Sequence, residues 1–345
     1  MKKRKGISLF RLLIILIFVL AIFSLLSSIF INKKDDTLED KVINQAKKYV
    51  NTNQNNFDNY FLSKFTEYLL PVEELNISND LNGYVKITKD SKYHFEYIKY
   101  KGNSLYSEIL KNNNITNEDD GLYINEYENN NLYDLKYIFK GENVNNYIKI
   151  NSTLYRIIGI TNSYNLKVIR SDYNTDINFY GLGGDINFLI EDDDLKTVNK
   201  LNYSSSKYFS LGMYNVGFIP EDDEVLIDII KSERKNLSIT KKVPNYVGYA
   251  GLINVSDVVR VSTNDSCNIK KLGSCRSYLY DLLNDGLVTA NSTSCDEKNC
   301  IYVVTKEGLK KTNNVKMSGN KEIVYIKGSI KYLNGDGSIN NPYTY

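Results

Sequence analysis

The chain has 345 residues with 43 Lys plus Arg against 41 Asp plus Glu, so its net charge of +2 gives no footprint for nucleic acid. It holds one His and no Trp; a single imidazole cannot build a multi-His metal centre and leaves His94 as the one possible base for a Ser-His-Asp mechanism, so neither is expected. The length suggests about two domains at roughly 150 residues each.

The first elements concern a membrane. Residues 1–11 form a basic leader with Lys2, Lys3, Arg4, Lys5 and Arg11. Residues 12–31, LLIILIFVLAIFSLLSSIFI, contain no charge. Twenty apolar residues span a hydrocarbon core of roughly 30 Å as a helix. The positive-inside rule keeps the leader in the cytoplasm and puts residues from about 33 onward outside. The lipid bilayer is thus the first expected partner, and the protein is expected as a single-pass cell-membrane protein with its C-terminal domain extracellular.

The run KKRKG followed by ISLFRLLIILIFVLAIF also resembles a prepilin-type leader. The resemblance implies cleavage between Gly6 and Ile7, and assembly with other pilin-like subunits. That family carries a Glu five residues after the cut, where this chain has Arg11. An Arg there repels a neighbouring subunit's N-terminal amine instead of neutralising it. Arg11 can instead snorkel to the headgroups.

Residues 32–110 read as a helical stalk and a small head. Leu38, Val42, Ile43, Ala46 and Val50 recur at helical spacing. A second amphipathic stretch runs from Phe57 to Leu70 and ends at Pro71. The segment GYVKITKDSKYHFEYIKYKG alternates as two strands around Lys89-Asp90-Ser91, with His94 as an ordinary strand residue. The arrangement resembles a pilin-like α/β head. Residues 111–130, rich in Asn, Glu and Asp, read as a linker.

Residues 131–345 read as a second domain of strands, then helices (Leu195–Met213 and Asp223–Asn236), then strands, an α+β arrangement. The runs YIFKGENVNNYIKINSTLYRIIGI, GLINVSDVVRVS and EIVYIKGSIKYLNGDGSINNPY resemble, in order, an uncharacterised extracellular domain of Gram-positive bacteria. That domain is similar to C-type-lectin-like folds, which implies an α+β outer domain. Tyr155 stands where the domain usually has Trp.

Cys267, Cys275, Cys295 and Cys300 all follow the apolar run. An even number in an exported domain reads as disulfides. The pairs Cys267–Cys275 and Cys295–Cys300 each close a short polar loop. The spacing is poor for zinc, so no metal site is expected. Ser204–Lys207 and Ser238–Lys241 match S-x-x-K without the accompanying motifs of penicillin-binding enzymes. The acidic runs 191–194 and 221–224 read as solvated helix starts. Asn334-Gly-Asp336-Gly-Ser338 reads as a tight turn. No catalytic residue set and no cofactor is expected. The function expected is binding or adhesion at the cell surface, to a glycan or protein ligand. The alternative is a minor pilin or pseudopilin of a type IV pilus, secretion or competence filament.

Overall fold

The computed structural model describes residues 14, 16–22, 37–62, 65–77, 81–100, 102–125, 132, 134–172, 180–182, 207–215, 245–264, 266–267, 269–283, 286–295, 298–312, 314–316 and 321–345. It is α+β, mostly sheet with few helices. Residues 14 and 16–22 are helical, and their side chains are exposed. Among the described residues no helix is long and apolar enough to cross a membrane. The expected span over 12–31 is therefore not supported by the described structure, and its remaining residues, 12, 13, 15 and 23–31, lie outside the described residues. The expected helices within 195–213 and 223–236 also lie outside the described residues, except for positions 207–213. There the chain is extended, with β10 (Phe209–Ser210) and the start of β11 (Gly212–Asn215), so the helical expectation fails at that end.

Helix α1 (Leu38–Thr52) begins at Thr37, whose hydroxyl accepts from the Asp40 N–H at 3.1 Å while Asp40 accepts from the Thr37 N–H. This reciprocal cap satisfies two donors left open at a helix start. Val42, Ala46 and Val50 are buried, as their helical spacing predicts, whereas Leu38 stays exposed. Helix α2 (Gln54–Leu62) follows, then β1 (Tyr68–Pro71). The amphipathic stretch expected over 57–70 is thus a helix and a strand. Strands β2 (Gly83–Lys89) and β3 (Tyr93–Lys99) form the expected hairpin, and the sheet order is β1-β2-β3. His94 pairs with Asp90 at 3.0 Å across its turn.

The larger sheet is antiparallel and runs from β10 through β18 (Ile323–Lys327), β8 (Asn165–Arg170), β7 (Thr153–Thr161) and β5 (Leu135–Lys140) to β4 (Gly121–Ile124). Outside this sheet, β9 (Tyr180–Leu182) pairs with β17 (Asn314–Lys316) and β11 pairs with β12 (Asn245–Gly248). Strand β6 (Tyr147–Ile150) adds to β7, and β13 (Ala250–Gly251) to β18. Strands β7 and β8 are buried on both faces for most of their length, which explains their nearly continuous apolar runs. The segment expected as a linker contributes β4 to this sheet, paired with β5 from Gly121–Lys140 to Ile124–Tyr137. The C-terminal tail lies along β6, where the Tyr343 N–H donates to the Tyr147 carbonyl and the Lys149 N–H donates to the Tyr343 carbonyl. Where a tight turn is expected at Asn334–Ser338, the chain instead runs through left-handed Gly335 and Gly337 in a longer loop closed by the bridge between Asn334 and Thr344.

The two sheets share one core. Helix α3 (Leu105–Asn112) joins them: Leu105 and Tyr106 donate their N–H groups to the carbonyls of Ile330 and Gly328, each at 2.8 Å. A Cβ placed on Gly328 would lie 2.0 Å from the Tyr164 carbonyl oxygen. Gly328→Ala must therefore shift backbone at the junction, and we expect a loss of about 2–3 kcal/mol. Denaturant unfolding of the variant checks it, and an unchanged midpoint would contradict this packing.

Candidate functional site

The cleavage residues Gly6 and Ile7, together with Arg11, lie outside the described residues. Of the four cysteines, Cys267 and Cys275 form a buried disulfide with Cα atoms 4.6 Å apart. It closes the turn Ile269–Ser274 beneath α4 (Val255–Arg260), and the two elements pack together. Cys295 ends β14 (Leu287–Cys295), and Cys300 lies on β15 (Lys298–Thr305). Cys295 pairs in register with Lys298 and Cys300 with Thr293. These two cysteines therefore stand diagonally across a hairpin rather than directly opposite. Among the described residues no group of three or more His, Cys, Asp and Glu side chains could hold a metal ion. The S-x-x-K residues Ser204, Ser238 and Lys241 and both acidic runs lie outside the described residues.

The densest polar set inside the larger sheet was not singled out from the sequence. Lys167, on β8, donates to Asp257 Oδ2 at 2.7 Å, and both side chains are buried, 6% and 1% exposed. Asp257 sits in the first turn of α4 and also accepts from the Asn254 N–H at 3.1 Å. Burial pushes its carboxyl up, but Lys167 and Arg260 outweigh burial and hold it below the ordinary carboxylate range. Nearby Asp134 behaves oppositely: burial pushes it up to about 6 against the pull of Arg260 and Lys167. Glu322 is a second buried carboxylate, 1% exposed on its side chain, with Arg170 at 3.3 Å and the Tyr155 hydroxyl at 2.9 Å. Tyr155 is thus a core residue whose hydroxyl has a specific partner. Arg156 is buried between the rings of Tyr147 and Tyr278, at 3.9 and 4.7 Å from their centroids. Its Nη1 donates to the Tyr147 hydroxyl at 2.7 Å.

These groups fasten α4 and the strand ends to the sheet. A carboxylate held to a buried ammonium, a backbone N–H and a neighbouring guanidinium is fixed as an acceptor. The sequence held one signal for this set, the spacing Asn254-Val-Ser-Asp257 at a helix start. Comparison with protein-family models, with curated proteins and with solved structures finds no match.

Two measurements test this set. Lys167→Met leaves Asp257 buried without its ammonium and should cost about 3–5 kcal/mol, whereas Lys167→Met with Asp257→Leu should cost clearly less. An additive double variant would contradict the coupling. Asp134 has a folded pKa above its unfolded value, so ionising it costs stability as pH rises from about 4 through about 6. Asp134→Asn should therefore be more stable than wild type by about 1–2 kcal/mol at pH 8, with the gap closing near pH 4. Thermal unfolding of the two chains across this range reads the difference.

Proposed function

We propose that the chain is a non-enzymatic, single-pass membrane-anchored surface protein whose folded α+β body acts in binding or adhesion outside the cell. The observation that carries this reading is at the N-terminus. The described helical residues from Ile14 to Ile22 hold large apolar side chains exposed rather than packed into the core, with Phe18 67% exposed. A helix that is apolar all round needs a lipid solvent. The basic leader then fixes the cytoplasmic side. The disulfide Cys267–Cys275 fits an oxidising compartment for the body.

On this reading the lectin-like resemblance assigns residues 131–345 to a ligand-binding domain, with a cell-surface glycan or protein as its ligand. The buried Tyr residues, among them Tyr68, Tyr106, Tyr164 and Tyr343, belong to the core, so a glycan surface must use other side chains. The second reading, a minor pilin or pseudopilin assembled with other pilin-like subunits, rests on KKRKG preceding Ile7. Arg11 weighs against it through its charge.

Intact mass and N-terminal sequencing of the protein from native membranes separate the two. The anchored reading expects residues 1–6 to be retained, the chain to resist alkaline extraction, and the body to be digested by protease added outside the cell. A chain starting at Ile7 would replace this reading with the filament one. An intact body in protease-treated cells would overturn both.

A further inference from the structure

We infer that Lys167 and Asp257 are the two halves of an intramolecular amide cross-link, formed when the Lys167 amine condenses with the Asp257 carboxyl and releases one water. Both side chains are buried, 6% and 1% exposed, and Nζ lies 2.7 Å from Oδ2. The carboxyl carbon is one C–O bond of about 1.2 Å further, so Nζ stands at most about 4 Å from it. That approaches the separation of a reactive contact, about 3–3.5 Å. Two elements hold the pair there. Lys167 lies in the middle of β8, opposite Gly159 on β7 and the buried Tyr325 on β18. Asp257 is fixed in the first turn of α4, where the Asn254 N–H donates to the same Oδ2 at 3.1 Å.

The reactive form is the neutral pair, reached when one proton moves from Nζ to Oδ2 along their hydrogen bond. Burial penalises both charges and so lowers the cost of that transfer. The amine nitrogen then bonds to the carboxyl carbon, and Oδ1 takes the developing negative charge. A second proton passes from the nitrogen to Oδ2, the carbon–Oδ2 bond breaks, and Oδ2 leaves as water. The Asn254 N–H, bonded to Oδ2, draws electron density from the breaking bond. Of the three ammonium hydrogens one stays on the amide and two leave in the water, so atoms and charge balance without a co-reactant. Fixing the two groups side by side supplies an effective concentration on the order of 10⁵ M or more, and a closed site keeps out the water that would reverse the step. The amide removes one buried charge of each sign and leaves Arg260 with Asp134, whose carboxyl Arg260 pulls down against burial. The cross-link joins residues ninety positions apart and ties β8 to α4. Helix α4 in turn packs on β14, the first strand of the sheet β14-β15-β16, where β16 is Gly308–Thr312.

The test uses the folded full chain in neutral detergent micelles, reduced and denatured only for mass analysis. The chain is expected to be lighter than its residues by one water, about 18 Da, and proteolysis should release a branched peptide joining the Lys167 and Asp257 segments. Lys167→Arg keeps the buried positive charge but not the condensing amine, so it should show full mass and no branched peptide. On reducing, denaturing gels the wild-type chain, with its covalently closed loop, should run faster than this variant. Succinimide formation at an Asp-Gly pair such as Asp285-Gly286 also loses one water, but Lys167→Arg would not abolish it. If Lys167→Arg does not fold, Asp257→Ala takes its place, and the peptide map of the wild-type chain decides in either case. Three results would overturn the inference: full mass in the wild-type chain after a week at neutral pH, a water loss that maps to other residues, or one that persists in Lys167→Arg.

Discussion

The fold turns on the placement of Tyr164. It follows β7 in a left-handed backbone conformation, with φ of 62°. Its ring meets those of Tyr68 and Tyr106 edge-on, at 6.4 and 5.1 Å. Its hydroxyl lies 3.0 Å from that of Tyr49 on α1, and its carbonyl accepts from the Gly328 N–H at 3.0 Å. One residue thus touches α1, the small sheet, α3 and the end of β18. Burial, with the neighbouring Tyr68 and Tyr49, drives its phenol far above the usual range, so it stays a neutral hydrogen-bonding group at any physiological pH. Ion pairs flank the same seam. Lys327 meets Glu67 at 2.6 Å, and Glu74 takes Lys136 at 3.8 Å and the Tyr106 hydroxyl at 2.6 Å. A left-handed Tyr costs on the order of 1 kcal/mol, and the contacts around it must offset that cost.

This seam changes what the N-terminal half is for. A stalk and head on a flexible linker would present the outer sheet at arm's length. Instead α1, the small sheet and the large sheet share buried residues, and residues 105–124 supply a helix and an edge strand that bind them together. On the proposed anchored reading, ligand force on the large sheet passes through this seam to α1.

Local pattern predicted the elements that stand on one face of one core. The α1 stripe, the β2–β3 hairpin and the pairing of Cys267 with Cys275 follow from period, turn chemistry and loop length, each a property of adjacent residues. The non-local features were not legible. Residues 111–130 look like a linker because β4 is short and its neighbours are polar, yet Leu122 is fully buried. The Lys167–Asp257 pair joins residues ninety positions apart, and a lone Lys in NLKVIR gives no sign of its partner. The many Tyr invite a sugar-stacking reading. Tyr49, Tyr68, Tyr106 and Tyr164 instead meet at the seam, where the hydroxyls serve a packed interior that Phe could not satisfy.

Native-state hydrogen exchange tests the shared core most directly. If the seam makes one cooperative unit, the amides of Val85 and Ile87 in β2 exchange with the same opening free energy as those of Val168 and Ile169 in β8, and all four report global unfolding. If β2 opens at a free energy several kcal/mol lower while β8 stays protected, the small sheet is a separate domain and the central role given to Tyr164 is wrong.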